Sequence, residues 1–517
     1  MSENQITKNM LETIIDNQQN NLYDKYNFLD SLIPVKEELI ILGRALTGKK
    51  FKKCDSEKFG TRNVYQMWNL LLEKDFEVEE IDLYYKYDSG ESKIQFTEFI
   101  QTIKQLAKNM SDDEFQAVYE KVKKLYDIRE LCKSIYNEVH IDSTTEIKEE
   151  KFFLNRYWYL VDSSRLETLS ISQIKKFLTP ISIVDTTDII YSATSLTKGL
   201  TSLLNLETED INKGVDLAFP LITKAINGLR KGQLIATGMF SNNGKTRLMI
   251  RNIANLVLRH NEKVLIISNE MTKEDIKYCF ITTVINNPEF KEMFGTTDIT
   301  KNEREIRNGD YKDSTESNRI TDIVKTLEEK FEDNILVIHT DIYSDEVLTE
   351  IILKYYMVDN IDYFFYDTLK ADKSNMANWD GLKITTTILS ELAKTYDICI
   401  WGNIQLINDT SKAPLETSSN DIASSKQIYQ LLDTLLLYSP IDKKCYSQYV
   451  YWESSQAPTK ATVKELDINN TYYICRVNKN RLGAKPDLLF KVNLNQNTWE
   501  ELGQVCYRER LKRLANG

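Results

Sequence analysis

Beyond residue 213 the chain alternates two textures, and that alternation limits the folds open to it more than any other feature. Short β-branched or aromatic runs, "QLIATG" (233–238), "KVLIIS" (263–268), "NILVIHT" (334–340), "DYFFYD" (362–367), "DICIWG" (397–402) and "LDTLLLYS" (432–439), are separated by amphipathic stretches. Strands this apolar need cover on both faces, so the pattern predicts a mostly parallel sheet with helices on both sides. "TYYICRV" (471–477) and "DLLFKVNL" (487–494) then predict a terminal hairpin, and "CYRERLKRLANG" (506–517) a basic tail.

The first 185 residues read as mainly helical. In "SDDEFQAVYEKVKKLYDIRELCKSIYNEV" (111–139) apolar residues recur at three- and four-residue spacing, and "SDDE" opens the segment as a capping box does. "YDSGESKIQFTE" (87–98) resembles a calcium loop, but Tyr87 at its first position and Ser92 at its turn glycine exclude that reading. Residues 186–213 are rich in Ser, Thr and Asp around a short apolar segment, which predicts a linker carrying one small helix. The expected division is therefore 1–185 helical, 186–213 linker, 214–505 α/β domain and 506–517 tail.

The α/β half carries five candidate motifs. "GMFSNNGKTR" (238–247) ends as a phosphate-binding loop should, in Gly244-Lys245-Thr246, but has Met239 where the strict G-x-x-x-x-G-K-[ST] pattern has glycine. It follows a predicted strand and opens a predicted helix, so backbone amides and the helix dipole would meet a phosphate. Ser241, Asn242, Asn243, Gly244, Lys245, Thr246 and Arg247 are the expected nucleotide-binding residues, with Lys245 on the β/γ-phosphates and Thr246 on Mg²⁺. The first glycine mainly eases a turn, so another residue is tolerated there.

Glu270 stands just past the second strand, placed either to activate a water or to cap a helix N-terminus. Asp367 closes an apolar strand, the Walker-B arrangement in which a carboxylate serves the metal. Gln405 ends another strand and offers an amide to the γ-phosphate, or is simply a loop amide. Lys479 and Arg481, two apart on an extended segment, share a face. They read as a phosphate-directed pair supplied to a neighbouring subunit, or as a basic turn in solvent.

In this order and spacing, the motifs from Gly214 to Leu502 resemble the RecA-fold motor of DnaB-type hexameric replicative helicases. "GLRKGQL" (228–234) resembles the family's turn into its first strand, "SNEMTKED" its S-L-E-M-S segment, "YDTLKAD" its I-D-Y-L-Q motif, "GNIQLIND" its S-Q-L-N-R and "KNRLG" its K-N-R-x-G finger. The resemblance implies a RecA-like P-loop ATPase core that hydrolyses ATP with Mg²⁺ between the subunits of a hexameric ring threaded by single-stranded DNA. Lys245, Thr246, Glu270, Asp367 and Gln405 would come from one subunit, and Lys479 and Arg481 from the next. Where the family has a DNA-contacting S-D-[LI]-R-E-S-G, this chain has "NDIASSK" (420–426), leaving Ser424, Ser425 and Lys426 as the candidate phosphate contacts.

Two readings stay open at this level. One is an ATP-driven DNA helicase, of a phage or mobile element given the Asn-, Ile- and Lys-rich composition. The other is a RecA-fold oligomeric ATPase without unwinding activity, a recombination accessory or defence-system switch. The net charge of −11 does not advertise nucleic-acid binding, although a basic inner wall is compatible with an acidic exterior. Seven scattered cysteines with no C-x-x-C pair, and no apolar run of membrane-spanning length, predict a cytoplasmic protein without a zinc module. The helical N-terminal half is a candidate site for a protein partner.

Overall fold

The computed structural model describes residues 27–48, 55–87, 92–139, 146–179, 213–340, 344–370, 381–406, 412–422, 425–453 and 462–511. The chain divides into two compact units, Met1–Ala193 and Thr194–Gly517. The linker expected over 186–213 lies, as far as residue 212, outside the described residues. No helix among the described residues is long and apolar enough to cross a membrane.

The first unit is helical. Its longest helix, Asp112–Val139, buries Phe115, Tyr119, Val122, Leu125, Cys132, Ile135 and Val139, the stripe its sequence predicts. Ser111 and Glu114 form the expected reciprocal cap: Ser111 N–H donates to Glu114 Oε2 at 2.8 Å and Glu114 N–H to Ser111 Oγ at 3.3 Å. Helices Val35–Leu46 and Lys93–Lys108 cross at Gly43, where a Cβ would come within 2.2 Å of the Ile103 carbonyl. Ser92, the residue that spoils the calcium-loop pattern, caps Lys93–Lys108 with Gln95.

The second unit is built on a single ten-stranded sheet. Its strands are β1 (Leu234–Met239), β2 (Val264–Ser268), β3 (Ile335–His339), β4 (Tyr363–Tyr366), β5 (Cys399–Gln405), β6 (Thr434–Pro440), β7 (Tyr449–Trp452), β8 (Tyr472–Asn480), β9 (Asp487–Asn493) and β10 (Thr498–Tyr507). They lie in the order β3-β2-β4-β5-β1-β6-β8-β9-β10-β7. The first six are parallel, and the last four extend the sheet antiparallel from β6.

Alternate strand residues face opposite sides. Ile235, Met239, Ile266, Phe365, Trp401 and Leu436 share a core with helix Lys245–His260. Their neighbours Ile267, Tyr366, Ile400 and Leu437 are equally buried, which accounts for unbroken apolar strands. The chain leaves β1 toward β2 on one side and places β6 on the other, so the end of β1 is a topological switch point, where open α/β sheets bind ligands.

The expected terminal hairpin is the β8–β9 part of a larger antiparallel extension. Strand β10 runs through Tyr507 and buries Cys506, so Cys506 and Tyr507 belong to the sheet and not to a tail. Pairing with Val450 and Tyr449 of β7 holds them there.

Candidate nucleotide-binding site

Met239 is the last residue of β1, is fully buried, and its carbonyl accepts from Leu406 N–H at 2.9 Å. It continues a strand, so the position makes no demand that only glycine can meet. The turn comes later, at Asn242 (φ 62°) and Gly244 (φ 88°). The backbone angle fixes the last loop glycine, and a Cβ there would also displace the Leu494 side chain of the β9–β10 turn, whose Cδ2 would lie 2.6 Å away. Helix Lys245–His260 starts directly from Gly244, aiming its free amide hydrogens at the loop.

Three motifs that are far apart in sequence meet here. Thr246 Oγ1 donates to Asp367 Oδ1 at 2.6 Å, joining the loop helix to the residue after β4. Asp367 is fully buried; its Oδ2 has no hydrogen-bond partner. Burial pushes its carboxyl up, as does the Glu270 charge, while Thr246, Asn403 and Lys245 act in the opposite direction. Lys245 is buried too; desolvation lowers its pKa, while Glu270 and Asp367 favour its charged form. A hydroxyl beside a buried carboxylate with an unpartnered oxygen suits a hard cation that keeps most of its own waters. Among the described residues no cluster of three or more His, Cys, Asp or Glu forms a metal cage. The residues present therefore fit Mg²⁺ arriving with a phosphate ligand better than a resident metal.

Glu270 lies between β2 and helix Lys273–Asn286, two residues before the Thr272 cap. Glu274 and Asp275 supply the acidic first turn, so Glu270 is not the helix's dipole partner. Its carboxylate is exposed, 3.5 Å from Lys370 Nζ. Gln405, exposed at the end of β5, is the register partner of Met239 and so stands beside the start of the loop.

Sequence reasoning missed Asn403. It is fully buried in β5, and its Nδ2 donates to Asp367 Oδ1 at 3.4 Å and faces Met249 Sδ at 3.6 Å. The available signal was an amide inside the apolar run "CIWGNIQ". Arg247 directs its guanidinium to Glu303 Oε2, 2.6 Å away, and its carbonyl accepts from Asn497 Nδ2 at 2.9 Å. An acid on the next packed segment draws that charge off the loop.

Lys479 and Arg481 stand at the opposite, N-terminal end of the parallel strands. Asn480 pairs with Thr434, which is level with Ile235. From Ile235 to the loop at the end of β1 is four strand residues, about 13 Å at a rise of about 3.3 Å each. As expected, the two side chains share one side: Lys479 Nζ donates to the carbonyls of Tyr429 and, at 3.0 Å, Gln430, and Arg481 Nη2 to Gln430 O at 3.1 Å. Burial lowers the Lys479 pKa, followed by the Arg481 charge.

Of the 420–426 segment, Ser424 lies outside the described residues. Ser425 and Lys426 begin helix Ser425–Leu431, and their side chains are likewise outside. Of Asp421, Ile422 and Ser425, the residues shared with the family motif, the first two are buried. Asp421 accepts from Ser418 N–H at 2.8 Å and pairs with Lys412, while Ile422 bridges to Leu406. They brace the segment's start.

A switch-point loop of this form on a largely parallel sheet, with β5 between the loop strand β1 and the Asp367 strand β4, defines a P-loop nucleotide-binding fold. Residues 214–497, more than half the chain, match the family model for the DnaB-like helicase C-terminal domain. The chain belongs to the DnaB-like helicase family. Among solved structures it is similar to one described as that of a DnaB-like replicative helicase and its interactions with primase, at 16% identity and TM-score 0.47, covering 90% of this chain and 98% of that one. A second solved structure, described as an ATPase domain, is similar at 15% identity and TM-score 0.46, covering 60% of this chain and all of that one. A search among curated proteins returns no match.

Proposed function

We propose that the protein is a DnaB-type ATP-driven translocase that hydrolyses ATP between the subunits of a hexameric ring encircling single-stranded DNA. The observation that carries this reading is the separation within one chain. The loop, Thr246 and Asp367 sit at the C-terminal edge of the parallel strands, and Lys479 and Arg481 at the N-terminal edge. A site needing both halves is completed by a second copy.

In this reading the amides of Ser241 to Gly244 and the Lys245 ammonium bind the phosphates. Thr246 and Asp367 hold Mg²⁺, which neutralises phosphate charge when bound. Glu270 takes the proton of the attacking water, Gln405 senses the terminal phosphate, and Arg481 with Lys479 of the adjacent subunit stabilises the charge that develops in the transition state. Asn403 orients the Asp367 carboxylate from within the sheet.

The test is ATPase activity with and without single-stranded DNA, on protein whose mass is measured with a non-hydrolysable ATP analogue. Hexameric mass with DNA-stimulated turnover is expected. A hexamer indifferent to DNA would instead support an oligomeric ATPase without unwinding activity. One observation favours that second reading: Ala423 and Ser424 stand where the family's Arg-Glu pair contacts DNA. Protein partner docking would fall to the helical N-terminal unit.

A further inference from the structure

The paired cations at the N-terminal end of the parallel strands are held in place, and the holding group is Asp433. Helix Ser425–Leu431 ends with carbonyls that have no partner within the helix, and its negative dipole end attracts cations. The Tyr429 and Gln430 carbonyls receive Lys479, and Gln430 also receives Arg481. Asp433, two residues beyond the helix, places Oδ1 3.1 Å from Arg481 Nη1. Its Oδ2 accepts from Leu234 N–H, the first amide of β1, at 2.9 Å. The backbones pair as well, Arg481 N–H to Asp433 O at 3.3 Å and Asp433 N–H to Leu234 O at 2.9 Å.

The Asp433 side chain is 8% exposed and that of Arg481 48%. A buried carboxylate thus fixes one side of a guanidinium whose remainder reaches solvent. A flexible arginine at a strand end would sample many rotamers. Gripped at Nη1 by a carboxylate and at Nη2 by a carbonyl, its planar fork keeps one orientation.

We propose that Asp433 is a positioning residue for Arg481, presetting the guanidinium at the subunit edge for a phosphate bound by the adjacent copy. This rests on the trans-site reading above. Asp433 touches neither nucleotide nor metal; it acts through Arg481. Preorganisation of a group used in the transition state appears in kcat and leaves substrate binding nearly unchanged.

The experiment uses the full chain carrying Asp433→Asn, which keeps an oxygen for the Leu234 amide and removes the charge facing Arg481. Its kcat for ATP is expected to fall on the order of 10- to 100-fold, with KM within about twofold. Asp433→Ser, a smaller acceptor, serves as the second variant should Asp433→Asn not fold. Mixing either with Lys245→Ala separates the roles: the Asp433 variant brings an intact loop and the Lys245→Ala copy an intact arginine, so mixed oligomers should regain hydrolysis above both parents. Wild-type kcat in the Asp433 variants overturns the proposal. So does the absence of recovery in the mixture, if a parallel mixture of Arg481→Ala with Lys245→Ala does recover, because Asp433 would then serve its own loop strand. If neither mixture recovers, the trans-site reading fails, and the positioning role falls with it.

Discussion

Met239 and Lys245 bracket a loop whose letters depart from the usual pattern at one end and keep it at the other. Met239→Gly would restore the pattern, yet it removes a fully buried side chain from the core and loosens a strand. We expect a loss of about 3–5 kcal/mol in unfolding free energy by denaturant titration, with no gain in ATP affinity. On the proposed function, Lys245→Ala should reduce ATP turnover to background in a steady-state assay, since an ammonium already desolvated by the fold has no substitute. At this scale the sequence was informative wherever a motif named residues that the fold then brings together, as the Thr246–Asp367 hydrogen bond does beside buried Lys245. Asn403 and Asp433 escaped because a single polar residue beside an apolar run has no period or spacing. Its meaning depends on what the neighbouring strand delivers.

At the scale of elements, strands β1, β2, β4, β5 and β6 were legible because a strand buried on both faces writes a continuous apolar run, and half-buried β3 at the sheet's edge because its short run is still apolar. Strand β10 was not. Glu500 and Glu501 interrupt it, and the register shifts between Glu501 and Gly503, breaking the alternation by which a strand with one wet face is recognised. Glu501 is the more consequential of the two. Its carboxylate accepts from Leu221 N–H at 2.6 Å and Ile222 N–H at 3.1 Å, tying β10 to the first turn of helix Pro220–Ile226, and burial pushes its pKa up from 4.5 to about 7. The folded chain therefore holds this proton to higher pH than the unfolded chain. The contribution to stability is fully present below pH 4.5 and is lost as pH rises through about 7. The stability of wild type relative to Glu501→Gln should fall by up to about 3 kcal/mol from acid to alkaline pH in paired denaturation curves.

The β9–β10 turn matters for a related reason. Asn497 is fully buried at φ 47°, and its Nδ2 donates to Arg247 O at 2.9 Å and Thr283 Oγ1 at 2.7 Å, while its Oδ1 accepts from Trp499 Nε1 at 3.1 Å. Asn497→Ala would strand these partners and strain the backbone, for an expected loss of about 2–4 kcal/mol in thermal or chemical unfolding. Because the turn packs on Gly244, the KM for ATP should rise as well.

For the whole molecule, the proposed function turns on the pairing of two copies. Arg481→Ala should lower kcat by about 10³- to 10⁵-fold while leaving binding of a fluorescent ATP analogue largely intact. Mixing it with Lys245→Ala should restore part of the turnover, and the restored fraction reports how often an intact loop meets an intact arginine. The order of motifs made the proposed arrangement readable only as a resemblance. Its physical basis, the distance from one end of the parallel strands to the other, needed the register of β1, β6 and β8.

That distance has a genetic consequence. On the proposed shared site, a copy carrying both Lys245→Ala and Arg481→Ala would silence the site it houses and the site it completes next door. With half of the copies so altered, only about a quarter of the sites in randomly mixed rings keep both halves. Such an allele, expressed beside the wild type, should be dominant.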